Sequence, residues 1–336
     1  MDSTVDAKAI QPNAAERLAQ LAYDDMRRVD SMILQRLDSH VPLIPELSRY
    51  LIEAGGKRVR PMITIACANL LDAMSDAPVK LAAAVEFIHT ATLLHDDVVD
   101  ESGMRRGKQA ANLVWGNASS VLVGDFLFAR SFSLMVEAGS MRALGVLSDA
   151  ASTIAEGEVR QLSAVADMSV SVETYMEIID AKTAALFAAA AQVSAIVADR
   201  PDVEEEALRT YGRELGLAFQ LVDDALDYGG VGAALGKDLG DDFREGKVTL
   251  PVALAIQAAT GEEAEFWTRT IGKKDQKDGD FEQACAYIQN RGTLAATLQA
   301  ARDRAAIARQ ALDIFPDNVW RTALVDLVDF VVERAY

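Results

Sequence analysis

The sequence predicts an all-α protein, a single-domain bundle of long helices around a central apolar cavity. Three observations carry this expectation. Alanine, leucine and glutamate dominate the chain, and β-branched residues nowhere alternate as they would along a half-buried strand. Two stretches, LAAAVEFIHTATLLHDD and AKTAALFAAAAQVSAIVA, are apolar nearly all round, which marks helices surrounded by other helices. No composition break or flexible linker divides the chain, and 336 residues with a 50% apolar fraction suffice for one sizeable core.

The elements follow in order. Residues 1–13, small and polar up to Pro12, read as a disordered tail, which leaves 14–336 as the domain. Helices are expected at 14–38, 43–54, 60–74, 78–101, 117–138, 140–165, 172–199, 202–228, 248–258, 262–271, 280–290, 293–313 and 316–334, with boundaries good to roughly ±3 residues. The eight prolines support these limits, because they fall near element edges, as Pro61, Pro78, Pro201 and Pro316 do. The segment 78–101 holds the first of the two apolar stretches and 172–199 the second. The one long irregular stretch is 229–247, GGVGAALGKDLGDDFREGK, whose glycines and charges suggest a mobile lid. The stretch 272–280 reads as an ordinary solvated turn.

Charge and cysteine usage exclude several classes of function. A net charge of −18 argues against nucleic acid or an anionic membrane surface as a partner, so any acidic substrate needs a local basic patch. Cys67 and Cys285 lack metal-ligand spacing and suit reduced thiols. The N-terminus has no basic region followed by an apolar core, and no apolar run reaches about 18 residues free of charge. A soluble, cytoplasmic protein without stable membrane insertion is expected.

Function is most legible in a repeated acidic motif: Asp96-Asp97-Val-Val-Asp100 and Asp223-Asp224-Ala-Leu-Asp227. On a helix the outer aspartates of each motif stand one turn apart on one face. Gly103 follows the first motif and Gly229-Gly230 the second, which puts both clusters in a last helical turn, where the macrodipole disfavours negative charge. A divalent ion, Mg2+ shared with a phosphate ligand, would compensate. With 51 acidic residues in the chain a single such triplet could be a solvated helix face, but LLHDDVVD and QLVDDALD both embed their acids among Leu and Val.

Positive charge gathers in three places: GGKRVRP at 55–61, MRRGK at 104–108, and Lys237 with Lys247 in the glycine-rich loop. Lys57, Arg58 and Arg60 meet an incoming helix N-terminus, a phosphate site by charge and by dipole. Arg105 and Arg106 lie just beyond the first acidic motif, where guanidinium forks could hold a phosphate. Three clusters around two metal motifs suggest two anionic substrates, one bound through metal and one without it. His89, seven residues before Asp96, shares its helix face. Lys182, set among alanines, needs an anionic partner.

From GGKRVRP to KVTLP these residues resemble the all-trans prenyl diphosphate synthases, with LLHDDVVDESGMRRGK and FQLVDDALDY similar to the family's two aspartate-rich motifs. The resemblance implies an isoprenoid synthase-like fold, a homodimer, and condensation of isopentenyl diphosphate onto an allylic diphosphate. It implies that Asp96 and Asp100 carry Mg2+ with Asp97 in support, and that Asp223 holds a further ion with Asp224 and Asp227. Arg105, Lys182, Thr183, Gln220, Lys237 and Lys247 would hold the allylic diphosphate. Lys57, Arg60, His89 and Arg106 would hold isopentenyl diphosphate, and Arg58 has no task. The C-terminus, ERAY, lacks the basic end of many relatives, so no tail-closing role is expected.

Product length falls to the helix running back from Asp96. In the family a bulky residue five places before the motif stops elongation, whereas Ala91, with Thr92, Ile88 and Val85, leaves the path open. HTATLLHDDVVDES looks most like the octaprenyl and decaprenyl synthases of bacterial quinone biosynthesis, hence roughly eight to ten isoprene units. The alternatives are a shorter farnesyl or geranylgeranyl product, a terpene cyclase, and a non-catalytic isoprenoid-binding subunit. GGKRVRP and Arg106 argue against the cyclase, and two intact motifs against the silent subunit.

Overall fold

The computed structural model describes residues 13–53, 58–105, 107–229 and 239–334. Asn13 opens α1 (Ala14–Leu21) with a capping box completed by Glu16. The single helix expected over 14–38 is broken at Ala22, whose N–H closes on Leu18, and α2 (Tyr23–Arg36) restarts with Asp24 and Asp25 in its first turn. α3 (Leu43–Glu53) and α4 (Val59–Leu70) follow, and α4 stops four residues before the expected end, with Asp72 in the left-handed region. α5 (Ala77–Val99) is buried along most of its circumference.

Two small elements between α5 and the next long helix escaped the sequence reading. Met104–Arg105 (β1) and Lys108–Gln109 (β2) form a two-stranded antiparallel hairpin, too short to show any alternation. A five-residue helix, α6 (Ala111–Trp115), comes next. α7 (Asn117–Glu137) and α8 (Met141–Ala164) match expectation within a residue. The helix expected at 172–199 runs as α9 (Val172–Ile179), a π-helical turn Asp180–Ala184 and α10 (Ala185–Val197).

α11 (Asp202–Tyr228) has the predicted limits. Within the stretch read as a lid, 230–238 lies outside the described residues, and a short helix α12 (Asp241–Glu245) occupies part of the remainder. α13 (Leu250–Ala258), α14 (Glu262–Trp267), α15 (Asp280–Asn290), α16 (Thr293–Ala311) and α17 (Val319–Glu333) complete the chain, a second π turn, Thr268–Gly272, extending α14.

α5 packs chiefly on α7 and also on α4, α2 and α10, while α10 is enclosed by α11, α4 and α8. The α10–α11 crossing is close because glycine permits it. A Cβ at Gly212 would lie 2.3 Å from the Phe187 carbonyl oxygen, and one at Gly216 2.7 Å from Ala184 Cα. The main apolar core lies around α4, α5, α10 and the first half of α11, and a second lies around the end of α11 with α13, α14 and α15. α11 thus belongs to both, and the second acidic motif lies on the part of it that packs in the second core. α5, α7 and the continuous helix Val172–Val197 are long and apolar enough to cross a membrane by length and composition. For α5 and Val172–Val197 that character reflects enclosure by other helices, 72% of each apolar window being buried, against 39% for α7.

Candidate active site

The first motif occupies the last turn of α5. Asp96 and Asp100 are partly exposed on one face, and Asp97 is fully buried on another. The helix ends at Glu101 rather than through Gly103: Glu101 takes φ 52°, and Ser102 N–H reaches back to the Asp97 carbonyl at 3.0 Å. The Asp97 carboxylate is held by Arg105, whose Nε donates to Oδ1 at 2.8 Å, while Asn112 Nδ2 donates to its backbone carbonyl at 3.0 Å. Hairpin and α6 therefore exist to bring Arg105 and Asn112 onto this helix end.

Lys182 and Lys247 stand on the exposed acids. Lys182 Nζ is 2.8 Å from Glu158 and 3.9 Å from Asp96, and Lys247 Nζ is 3.0 Å from Asp100 and also paired with Glu245. Burial pushes the Asp96 carboxyl up to about 7, against the pull of Lys182 and with the help of Glu158 and Asp100. Lys247 is raised above the ordinary lysine range: burial opposes its charge, and the Asp100, Asp242 and Glu245 carboxylates overcome it.

The second motif divides its acids differently. Asp223 is partly exposed. Asp224 is buried and accepts hydrogen bonds from Tyr175 Oη at 2.5 Å and Gln220 Nε2 at 2.7 Å. Gln220 Oε1 in turn accepts from Thr183 Oγ1 at 2.8 Å. Asp227, also buried, accepts the backbone N–H groups of Gly240 and Asp242 at 3.1 and 3.2 Å, pinning the start of α12. The resemblance implied Asp96, Asp100 and Asp223 as the principal holders of metal, with Asp97, Asp224 and Asp227 in support. The geometry leaves Asp96, Asp100 and Asp223 partly exposed, and buries Asp97, Asp224 and Asp227 in contacts that hold their surroundings.

Among the described residues no three carboxylates, cysteines or histidines converge closely enough to hold a metal ion by themselves. A divalent ion here would therefore complete its shell with diphosphate oxygens and water, the ordinary way Mg2+ is held. The donor set fits such an ion: the partly exposed acids offer hard oxygens, burial raises the pKa of Asp96, and Asp97 Oδ2 is buried without a hydrogen-bond partner.

On the other side of His89, Arg60 Nη1 lies 3.2 Å from His89 Nε2, and the Arg60 guanidinium sits 4.5 Å over the Phe187 ring of α10. Arg60 and His89 are brought together as expected, whereas Lys57, Arg106 and Lys237 lie outside the described residues. Arg58 turns away to Glu86 of α5, 2.6 Å from Nη1. Below the motif, the accessible line on α5 is Asp96, Leu93, Thr92 and His89, and Thr92 Oγ1 donates to the His89 carbonyl at 2.9 Å. Ala91 and Ile88, expected to border the elongation path, carry no accessible surface and are packed into the main core.

Sequence reasoning missed Glu158, Tyr175 and Arg334. Glu158 carried no motif, although the lysine at 182 demanded an anion somewhere. Gly157 lets α8 dock on the π turn, since a Cβ there would meet Ala181 Cβ at 2.8 Å and Lys182 N at 2.9 Å. Arg334, in the C-terminal segment from which nothing was expected, donates to the Phe219 carbonyl at 2.9 Å and stacks 4.0 Å over that ring. Burial lowers its pKa while Asp223 supports its charge, so it belongs to the surroundings of the second motif.

A polyprenyl synthetase family model matches residues 41–288. The octaprenyl diphosphate synthase of Escherichia coli (strain K12) is 47% identical over 319 residues, covering 95% of this chain and 98% of that one. The crystal structure of a polyprenyl synthase from Caulobacter crescentus CB15, complexed with calcium and isoprenyl diphosphate, superposes with TM-score 0.93 at 55% identity, covering 98% and 100% of the two chains. A decaprenyl diphosphate synthase structure from Rhodobacter capsulatus also gives 0.93, at 53% identity over 96% and 99%.

Proposed function

This chain belongs to the polyprenyl synthetase family and is a long-chain trans-polyprenyl diphosphate synthase, and we propose that its product lies in the octaprenyl to decaprenyl range and serves a quinone side chain. One observation carries the site reading: the partly exposed acids Asp96 and Asp100 of α5 are met by the cations Lys182 and Lys247, brought in from two distant parts of the chain. Asp96, Asp100 and Asp223 would hold Mg2+. When bound it supplies charge neutralisation for the diphosphate leaving group.

The protein's own residues do the rest. Lys182 and Lys247, released from Asp96 and Asp100 as diphosphate arrives, bind its oxygens together with Arg105. Thr183 and Gln220, linked to each other and to Asp224, orient that group. Arg60 and His89 hold isopentenyl diphosphate with its double bond toward the allylic carbon. As the allylic C–O bond breaks, the cations stabilise the departing diphosphate, and the apolar helices keep water from the carbocation. The isopentenyl double bond attacks, a new C–C bond forms, and loss of a proton restores an allylic double bond. The departing diphosphate is the proton acceptor we favour.

A second copy of the chain is the proposed partner. Leu122 and Val136 of α7, with Val159 and Leu162 of α8, are more than 60% exposed, an apolar strip that pairing would cover. The reaction class is tested by following release of diphosphate from farnesyl diphosphate with isopentenyl diphosphate and Mg2+. Release that requires both substrates and stops on chelation supports the reading, and release without isopentenyl diphosphate refutes it.

A further inference from the structure

Arg58 is the one basic residue of GGKRVRP left without a task by its charge and by the family resemblance. Its backbone is unusual: with φ 47° and ψ 34° it is left-handed, a conformation that L residues other than glycine adopt rarely and that must be held by the surroundings. It stands at the N-cap of α4 yet gives no capping hydrogen bond. Its side chain reaches α5 instead, where Nη1 donates to Glu86 Oε1 at 2.6 Å, and Nε lies 3.7 Å from Asp30 on α2.

Glu86 is 5% exposed, so its charge needs this partner. It also lies one helical turn before His89. Two residues after Arg58, Arg60 meets His89 itself. The entry to α4 is thus stitched to α5 at two successive levels, Arg58 with Glu86 and Arg60 with His89. In the lower stitch Glu86 is buried, while Arg58 stays partly exposed and extends toward Asp30 at the surface.

The geometry points to Arg58 as a positioning residue for isopentenyl diphosphate. It does not touch the substrate; by locking the left-handed turn onto Glu86 it fixes the level and direction at which Arg60 enters the site. The inference rests on the reading of Arg60 and His89 as the isopentenyl subsite. A direct contact between Arg58 and diphosphate predicts something different, because releasing Arg58 from Glu86 would then leave binding unchanged or strengthen it.

Glu86→Gln separates the two, being the same size and remote from substrate. Steady-state kinetics of the full-length protein with each substrate varied in turn should show Glu86→Gln raising the KM for isopentenyl diphosphate about tenfold, with the allylic KM within about twofold. Arg58→Gly, which relieves the backbone but removes the tether, should do the same, and the double variant should be no worse than the poorer single one. Arg58→Lys, which keeps one donor toward Glu86, should fall between and serves as the readout if a harsher variant fails to fold. Wild-type KM in Glu86→Gln beside a raised KM in Arg58→Gly would overturn the inference in favour of direct contact. Equal losses for both substrates would overturn it in favour of general structure. A wild-type enzyme with no dependence on isopentenyl diphosphate would instead refute the underlying subsite reading.

Discussion

Replacing Asp96 with asparagine separates what this carboxylate does for turnover from what it does to the fold. In the metal-free protein its pKa is raised from 3.8 to about 7, mainly by burial. A raised acidic pKa means the folded state binds the extra proton, so this group's contribution to stability is most favourable below pH 4 and is lost as pH rises through 7. That rise corresponds to roughly 4 kcal/mol of penalty at pH 8, of which about 2 kcal/mol develops between pH 5 and pH 7. Asparagine carries no such penalty, and Lys182 keeps Glu158 as its partner at 2.8 Å. Chemical denaturation in EDTA should therefore show Asp96→Asn more stable than wild type at pH 8, with the gain shrinking toward pH 5. Turnover with Mg2+ should fall by at least about a hundredfold, because an open acid of the metal site is gone. A variant that is less stable than wild type at pH 8, or whose stability difference does not change with pH, would refute the claim that Asp96 is held ionised against its surroundings.

Other perturbations address other parts of the site. Gly157→Ala forces a methyl into contacts of 2.8 and 2.9 Å with the π turn, so α8 must retreat from Lys182; kcat should drop about tenfold or more while circular dichroism stays helical, and an unchanged kcat would mean that the close docking does not position Lys182. Tyr175→Phe removes the 2.5 Å hydrogen bond to buried Asp224 and should lower stability by about 1–3 kcal/mol in urea titrations, with a wild-type midpoint arguing against that role. Ala91→Phe adds a ring to a fully buried position of α5; products should shorten toward the farnesyl or geranylgeranyl range by thin-layer sizing, and unchanged products from a folded variant would show that the tail follows another face.

The long elements were legible because their signals are local. The limits of α11 agree to the residue, since Pro201 and Gly229 bracket a helix whose burial is periodic. Ala22 broke the first helix in alanine-rich text that carries no stop signal, and the hairpin at Met104 was too short to leave a pattern. The π turn was hidden for a related reason: it depends on the close approach of Gly157 and Gly216, which are distant in sequence. Within the site, charged residues beside motifs could be read: Arg60 and His89 lie together, and Lys182 has the anionic partner it required, though that partner is Glu158. What composition could not give was the division of labour among neighbouring acids. Asp97 and Asp224 differ from Asp96 and Asp223 only by about 100° of helix rotation, and burial against Arg105 or Tyr175 decides which becomes a support. Glu158 and Arg334 belong to no motif, and only tertiary packing reveals them.

The central claim is that this chain extends an allylic diphosphate many times over a metal-dependent site. The most direct measurement is to incubate the purified protein with farnesyl diphosphate, Mg2+ and excess radiolabelled isopentenyl diphosphate, then dephosphorylate and size the products. The account predicts a ladder ending in the octaprenyl to decaprenyl range that vanishes with EDTA; a product that stops at geranylgeranyl, or any full ladder in EDTA, would contradict it.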